Sequence, residues 1–240
     1  VKVELIAECA SSHGGDLRLA KEFIKRYAEA GADWVKFQSY QTSTLDPSDP
    51  QYTWLQQAEL HDDQHRELKE LCEREGCKFL TTVFHPSRVP FLKTLGLDAI
   101  KIGSGEAMIP PLLAAVEHFQ RVLVSTGLIG RAKVWGRPFE GLVCVSRYPA
   151  PTAWAAHLAT MPYGAGLTGY SDHCFSIDVC MSAICAGATV IEKHVSLPKQ
   201  LRPSQSWEAT VQEFKQLRAF ADDEGPAKFQ GRWQWMLQTT

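Results

Sequence analysis

The chain has 240 residues, 45% of them hydrophobic and 22% charged, with a formal net charge of −2. That is enough apolar material for one full core, and the balanced charge excludes a polycationic face for nucleic acid or an acidic membrane. No apolar run approaches the ~20 residues that a bilayer-spanning helix needs; Val1 to Glu8 read as a first strand rather than a signal peptide, and the expected location is the cytoplasm.

Eight short apolar runs each end in a polar or charged residue. The first, Ile6-Ala7-Glu8, is followed by an amphipathic stretch from Asp16 to Ala30. Leu19, Phe23, Ile24 and Tyr27 share one stripe of it, with Asp16 placed to cap its start and Gly31 to end it. Val35-Lys36-Phe37-Gln38 leads to a helix expected over Asp62–Glu75, apolar through Leu68 and Leu71 and capped by Asp62 or Asp63. Leu80-Thr81-Thr82 and Ile100-Lys101-Ile102-Gly103-Ser104 are followed by helices near Ser87–Leu95 and Pro110–Phe119. After Val124-Ser125-Thr126 come Val143-Cys144-Val145-Ser146 with a helix near Thr152–Ala159, then Gly169-Tyr170-Ser171-Asp172-His173 with one near Ser176–Ala186. Val190-Ile191-Glu192-Lys193-His194 precedes a last helix over Trp207–Ala221.

The runs are rich in Val, Ile, Leu and Phe without clear alternation, as parallel strands buried on both faces are. Eight β-α units in a chain close to the ~250 residues of a typical closed barrel make a (β/α)8 TIM barrel, one domain over residues 1–240, the economical reading. A doubly wound open sheet is the second architecture. The seven cysteines lie mostly inside strands and helices, and Cys72 and Cys77 have no matching second pair, so they read as reduced core thiols.

In such a barrel the carboxyl ends of the strands converge on one site. Lys36 and Lys101 both project there, and two ammonium groups near the axis call for a bound anion, a phosphate or a carboxylate. Thr82, Ser104, Ser125, Ser146 and Ser171 add hydroxyls, and the Gly103–Gly105 and Gly127 backbones allow close main-chain approach. Singly, each hydroxyl reads as a strand-end hydrogen bond; five of them beside two lysines favour an anion site. His173 and His194 end neighbouring strands about 4.8 Å apart, beside Asp172 and Glu192, a spacing that suits one divalent metal with open positions. Glu8, Glu106 and Gln38 are the acid–base and polar candidates, their plainer role being to neutralise Lys36 and Lys101.

The segments IAECASSHGGD, GADWVKFQ, LDAIKIGSGE, VLVSTG, VCVSRYPAP, GLTGYSDH and GATVIEKHVSL, with the stretch from Glu59 to Phe84, resemble in order the catalytic barrel of the N-acetylneuraminate (sialic acid) synthases. That family also holds the pseudaminate, legionaminate and spore-coat polysaccharide synthases, and the likeness runs from Ile6 to about Leu197. It implies a metal-dependent condensation of phosphoenolpyruvate with the aldehyde form of an N-acyl amino sugar, releasing phosphate and giving a nonulosonic acid. By resemblance, Lys36, Thr82, Lys101, Ser104, Ser125, Ser146 and Ser171 match positions that hold phosphoenolpyruvate, the Ser146 position being Asn or Ser in the family. His173 and His194 match two manganese ligands, with Mg2+ or Co2+ as alternatives. Glu8, Gln38, Glu106 and Tyr148 match residues around the acceptor sugar and the reacting carbons, and Glu8 and Glu106 are both left as the base.

Three features depart from the family pattern. Arg202-Pro203-Ser204-Gln205 stands where the family has Gly-Pro-Asp-His with a sugar-binding Asp. Leu128 to Glu140 is too short for the usual helix and holds Gly130, Gly136 and Pro138, so a loop open to a partner is expected. The C-terminal antifreeze-like domain, which supplies a partner's site with an arginine, has no counterpart in the 240 residues; Arg202 and Arg232 are the candidate replacements. Phe229, Trp233 and Trp235 either pack over the barrel, make a homodimer contact or belong to a terminal helix on the barrel floor. The alternative function is a degenerate barrel that binds a phosphorylated ligand or a partner without turnover.

Overall fold

The computed structural model describes residues 2–129, 138–201 and 203–223. Eight parallel strands, β1 (Glu4–Glu8), β2 (Trp34–Ser39), β3 (Lys78–Val83), β4 (Ile100–Ile102), β5 (Val122–Ser125), β6 (Phe139–Cys144), β7 (Leu167–Asp172) and β8 (Val190–His194), stand in sequence order. β8 pairs with β1 and closes the barrel, so no strand presents a free edge. The helices are α1 (Leu17–Glu29), α2 (Tyr52–Ala58), α3 (Asp62–Arg74), α4 (Val89–Thr94), α5 (Pro110–Val116), α6 (Thr152–Ala159), α7 (Asp178–Cys185) and α8 (Val211–Asp222). This is the closed (β/α)8 barrel, not the open sheet, and no described helix is long and apolar enough to cross a membrane.

Alternation hidden in the apolar runs sets the interior. Successive strand residues face opposite sides, and a first inward layer of Ile6, Trp34, Leu80, Ala99, Leu123, Leu142 and Val190 forms its own apolar cluster. The residues between them, such as Val35, Phe37, Ile100 and Ile191, pack outward in the larger cluster with Phe23, Leu68, Leu112 and Phe214 of the helices. Below the apolar layer, Arg121 closes the floor, its guanidinium 2.6 Å from Glu4 and 2.9 Å from Glu140. Two residues above the apolar layer, the same inward positions carry Glu8, Lys36, Thr82, Lys101, Ser125, Cys144, Ser171 and Glu192. A two-residue step therefore converts an apolar plug into a charged one.

Local signals explain the helix ends. Asp16 caps α1 by accepting from Arg18 N–H, and Gly31 follows its end at φ +88°. At α3 the expected caps are corrected: Asp62 and Asp63 are already helical, His61 holds the cap position, and its N–H donates to the Gln64 side chain at 2.8 Å. Asp62 instead pairs with Arg88 at 2.7 Å. α8 starts at Val211 rather than Trp207, because Ala209 bridges to Val195 and Thr210 forms the cap with Glu213. Helix α2 was not expected; seven residues with only Ala58 fully buried give no readable stripe. β6 starts at Phe139, inside the expected loop, whose residues 130–137 lie outside the described residues, as do Arg202, Phe229, Arg232, Trp233 and Trp235. None of the seven cysteines is in a disulfide.

Closure leaves one position with no tolerance. A Cβ on Gly169 would lie 2.0 Å from the Val190 carbonyl oxygen and 2.8 Å from Leu142 Cδ2, inside the β7–β8 seam. Gly169→Ala should lower stability by about 1–3 kcal/mol, the usual penalty for overpacking a core, measured by urea unfolding. Gly105→Ala, where a Cβ meets nothing within 4 Å, serves as the control and should stay near wild type.

Candidate active site

The carboxyl ends of the strands surround a cavity of about 280 Å³. The expected binding, metal and acid–base candidates all line it: Glu8, Lys36, Gln38, Thr82, Lys101, Ser104, Glu106, Ser125, Ser146, Tyr148, Ser171, His173 and His194. Phe84, Gly103, Gly105, Leu128 and Glu192 complete the lining.

The deepest layer is buried and charged. Lys36 Nζ lies 2.9 Å from Glu8 Oε1 and 3.6 Å from Glu192 Oε2, and donates to Thr82 Oγ1 at 2.8 Å. Lys101 Nζ donates to Ser125 Oγ at 2.5 Å and to the Ile102 carbonyl at 2.8 Å. Ser171 Oγ donates to Glu192 Oε1 at 2.7 Å, while Glu8 Oε2 is buried with no hydrogen-bond partner. One lysine between two carboxylates cannot compensate both. Burial pushes the Glu8 carboxyl up to about 7 against the opposing pull of Lys36, and the charge of Glu192 adds to the rise. Burial acts the same way on Glu192, but Lys36, Lys101 and the Ser171 hydrogen bond outweigh it and hold the carboxyl at about 2. Burial pulls the Lys101 ammonium down; in Lys36 the same effect is overcome by Glu192 and Glu8, and its affinity for the proton rises. Two lysines thus face one firmly ionised carboxylate, Glu192, and a Glu8 raised to about 7, and an anion bound beside Lys101 would offset the burial that pulls its ammonium down.

A cradle stands above the lysines. A Cβ on Gly127 would meet Ser146 Oγ at 2.1 Å, Cys144 Sγ at 2.7 Å and Ser104 Oγ at 2.9 Å, and the Gly127 N–H donates to Ser104 Oγ at 3.2 Å. Glu106 folds over Gly103, where a Cβ would lie 2.2 Å from its Oε2, and burial raises its carboxyl.

The rim holds the two histidines with ring centroids 5.4 Å apart. His173 Nδ1 bonds the Val145 carbonyl at 2.7 Å, which requires it to donate and leaves Nε2 as a lone-pair donor. Burial pulls both imidazoles toward the neutral, metal-binding form. Among the described residues no three His, Cys, Asp or Glu side chains converge as a metal cage. A two-histidine seat fits a catalytic divalent ion that keeps positions for substrate oxygens, not a closed structural site. Tyr148 leans over it, its ring 4.1 Å from His173, 5.5 Å from His194 and 5.7 Å from Trp207.

Asp172 and Glu192, both placed beside the histidines, part ways. Asp172 does not join the site; it is fully buried behind the wall, paired with Lys193. Glu192 does join it, and its signal was its parity: two residues before His194, it faces the same side.

Residues 23–223 match the family model described as the NeuB family. The chain is 34% identical over 231 residues to the N,N'-diacetyllegionaminic acid synthase of Legionella pneumophila, covering 82% of this chain and 65% of that protein. It is 32% identical over 248 residues to the protein of that name from Campylobacter jejuni, covering 90% and 74%. Against those relatives the chain thus spans 65% and 74% of their length. Among solved structures, the N-acetylneuraminic acid (sialic acid) synthetase of Leptospira borgpetersenii, in complex with citrate, superposes with a TM-score of 0.82 at 26% identity, covering 98% of this chain and 91% of that one. The match over most of the chain and the shared barrel make this chain a member of the NeuB family.

Proposed function

We propose that the chain is a synthase that condenses phosphoenolpyruvate with an aldose or N-acyl amino sugar to give a nonulosonic, sialic-acid-like acid and phosphate. The observation that carries the reading is the buried pair Lys36 and Lys101, set under a hydroxyl-lined cradle and beside a two-histidine seat in one cavity. Family membership and the named synthases among its relatives support it.

Each described residue has a task in that reaction. Lys36 and Lys101, with Thr82, Ser125, Ser104, Ser146 and Ser171, hold the phosphate and carboxylate of phosphoenolpyruvate and offset the charge that gathers on the departing phosphate. Gln38 and Tyr148 orient the acceptor at the rim, and Glu106 bounds it from the β4 side. The methylene carbon of phosphoenolpyruvate attacks the aldehyde carbon, forming the new C–C bond as the C=O pair moves onto the aldehyde oxygen, which takes up a proton from solvent, and leaving a cationic C2 stabilised by its phosphate oxygen. Water adds to C2 and gives up a proton, and collapse of the tetrahedral intermediate breaks the C2–O bond to phosphate while the C2 hydroxyl proton passes to the departing phosphate, leaving the C2 ketone. Glu8 takes the proton that the adding water gives up: its Oε2 is buried without a partner and its carboxyl is poised near neutrality, whereas Glu106 is less enclosed. His173 and His194 would hold a divalent ion, Mn2+ first among Mn2+, Mg2+ and Co2+, which when bound would supply Lewis acidity at the acceptor carbonyl.

Phosphate release from phosphoenolpyruvate, measured with manganese across a panel of aldoses and N-acyl amino sugars, tests the reading. Acceptor-dependent release is expected; none with any acceptor would leave the non-catalytic barrel standing instead. Because Glu8 must be ionised to accept a proton, the rate should rise with pH through about 7. Glu8→Gln should lower kcat by about 10²–10⁴-fold, the usual weight of a general base, and flatten that rise. Gly127→Ala should displace the Ser146 and Ser104 hydroxyls that line the cradle and weaken phosphoenolpyruvate binding in calorimetry by at least about tenfold, a loss of ~1.4 kcal/mol.

A further inference from the structure

Behind the cavity wall lies a second buried charge pair that the proposed reaction does not use. Asp172 and Lys193 are register partners on β7 and β8, each fully buried, and each stands immediately before one of the rim histidines. Lys193 Nζ donates to Asp172 Oδ2 at 2.5 Å, to the Cys174 carbonyl at 2.6 Å and to the Ser176 carbonyl at 3.3 Å. Asp172 Oδ2 in turn accepts from Cys174 N–H at 3.2 Å. The ammonium thus gathers the end of β8, the end of β7 and the first turn of the loop leaving β7 around one point.

A buried ion pair is weak support for stability: its desolvation penalty can exceed its Coulombic gain, and well-packed apolar replacements are often neutral or better. This pair has a geometric consequence instead. Alternate residues face opposite ways, so Asp172 and Lys193 point outward while Ser171, His173, Glu192 and His194 point inward. The inner face is laced by Ser171 to Glu192, and the outer face by Asp172 to Lys193. The backbone of His173 is also held by Ala150 N–H at its carbonyl, 2.8 Å, and that of His194 by Ala209 N–H, 2.8 Å. Spacing and pitch of the two imidazoles therefore depend on a seam whose outer fastening is this pair.

We propose that Asp172 and Lys193 are positioning residues that preset the two-histidine seat, holding His173 in the orientation in which Nδ1 donates to Val145 and Nε2 faces the cavity. The inference rests on reading His173 and His194 as metal ligands, and a metal-free measurement keeps the two apart.

The test uses the double variant Asp172→Leu/Lys193→Met, expected to fold because apolar side chains replace both charges. Titrated with Mn2+ alone in a calorimeter, it should bind about 10–100-fold more weakly than wild type, the usual effect of losing an outer-shell support. In metal-free protein, the His173 Nδ1–H resonance, hydrogen-bonded and slow to exchange in wild type, should broaden or disappear. A folded double variant with wild-type Mn2+ affinity and an unchanged His173 resonance overturns the proposal. Should wild type bind no Mn2+, the metal reading fails, and the His173 resonance alone decides the positioning role. If the double variant does not fold, Lys193→Arg takes its place: a planar guanidinium cannot converge on all three oxygens, so the same losses are expected, and unchanged affinity and resonance overturn the proposal.

Discussion

Lys36 sits between Glu8 and Glu192 in a layer closed to water, and the character of the site follows from that arrangement. Inside a protein, two carboxylates cannot share one ammonium as equals. Glu192, gripped also by Ser171 and influenced by Lys101, keeps its charge, and Glu8 carries the proton up to about 7. Among the described residues Lys101 donates to a hydroxyl and a carbonyl rather than to a carboxylate; burial pulls its ammonium down against the charges of Glu192 and Glu8, and a bound anion would favour its charged form. A structural ion cluster would pair its members; this one is left incomplete in the direction of the cavity.

The barrel makes that incompleteness tolerable by grading polarity along its axis. The Arg121 cluster seals the floor, and seven side chains from Ile6 to Val190 form an apolar plug above it. The charged layer rests on that plug and opens toward the hydroxyl cradle, the histidines and Tyr148. The proposed reaction would use that gradient, with the anionic reactant deepest and the second reactant at the rim, where the histidines stand. Exclusion of water below and charge above are two consequences of the same two-residue step along each strand.

Much of this was legible in the sequence because strand ends announce themselves: an apolar run followed by Lys, Glu, Ser or His marks both the strand and its functional end. Closure of the barrel and the convergence of Lys36, Lys101, His173 and His194 follow from that layout. Facing was the part that escaped. A strand buried on both sides shows no apolar–polar alternation to read, so Asp172 and Glu192 looked equivalent beside their histidines, although one step in parity sends the first behind the wall and the second into the cavity. The late start of α8 escaped for a related reason: it depends on Val195, brought close only by folding; the α3 cap is local, the His61 N–H donating to the Gln64 side chain one position before the expected Asp62 and Asp63.

The central claim is that the ammonium of Lys101 seats the anion. Titrating phosphoenolpyruvate into wild type and Lys101→Met in a calorimeter, with the fold of both checked by circular dichroism, tests it most directly. The account predicts binding to wild type and a loss of at least about 100-fold, ~2.7 kcal/mol, in the variant. Equal binding by a folded Lys101→Met, or no binding by wild type, would contradict it.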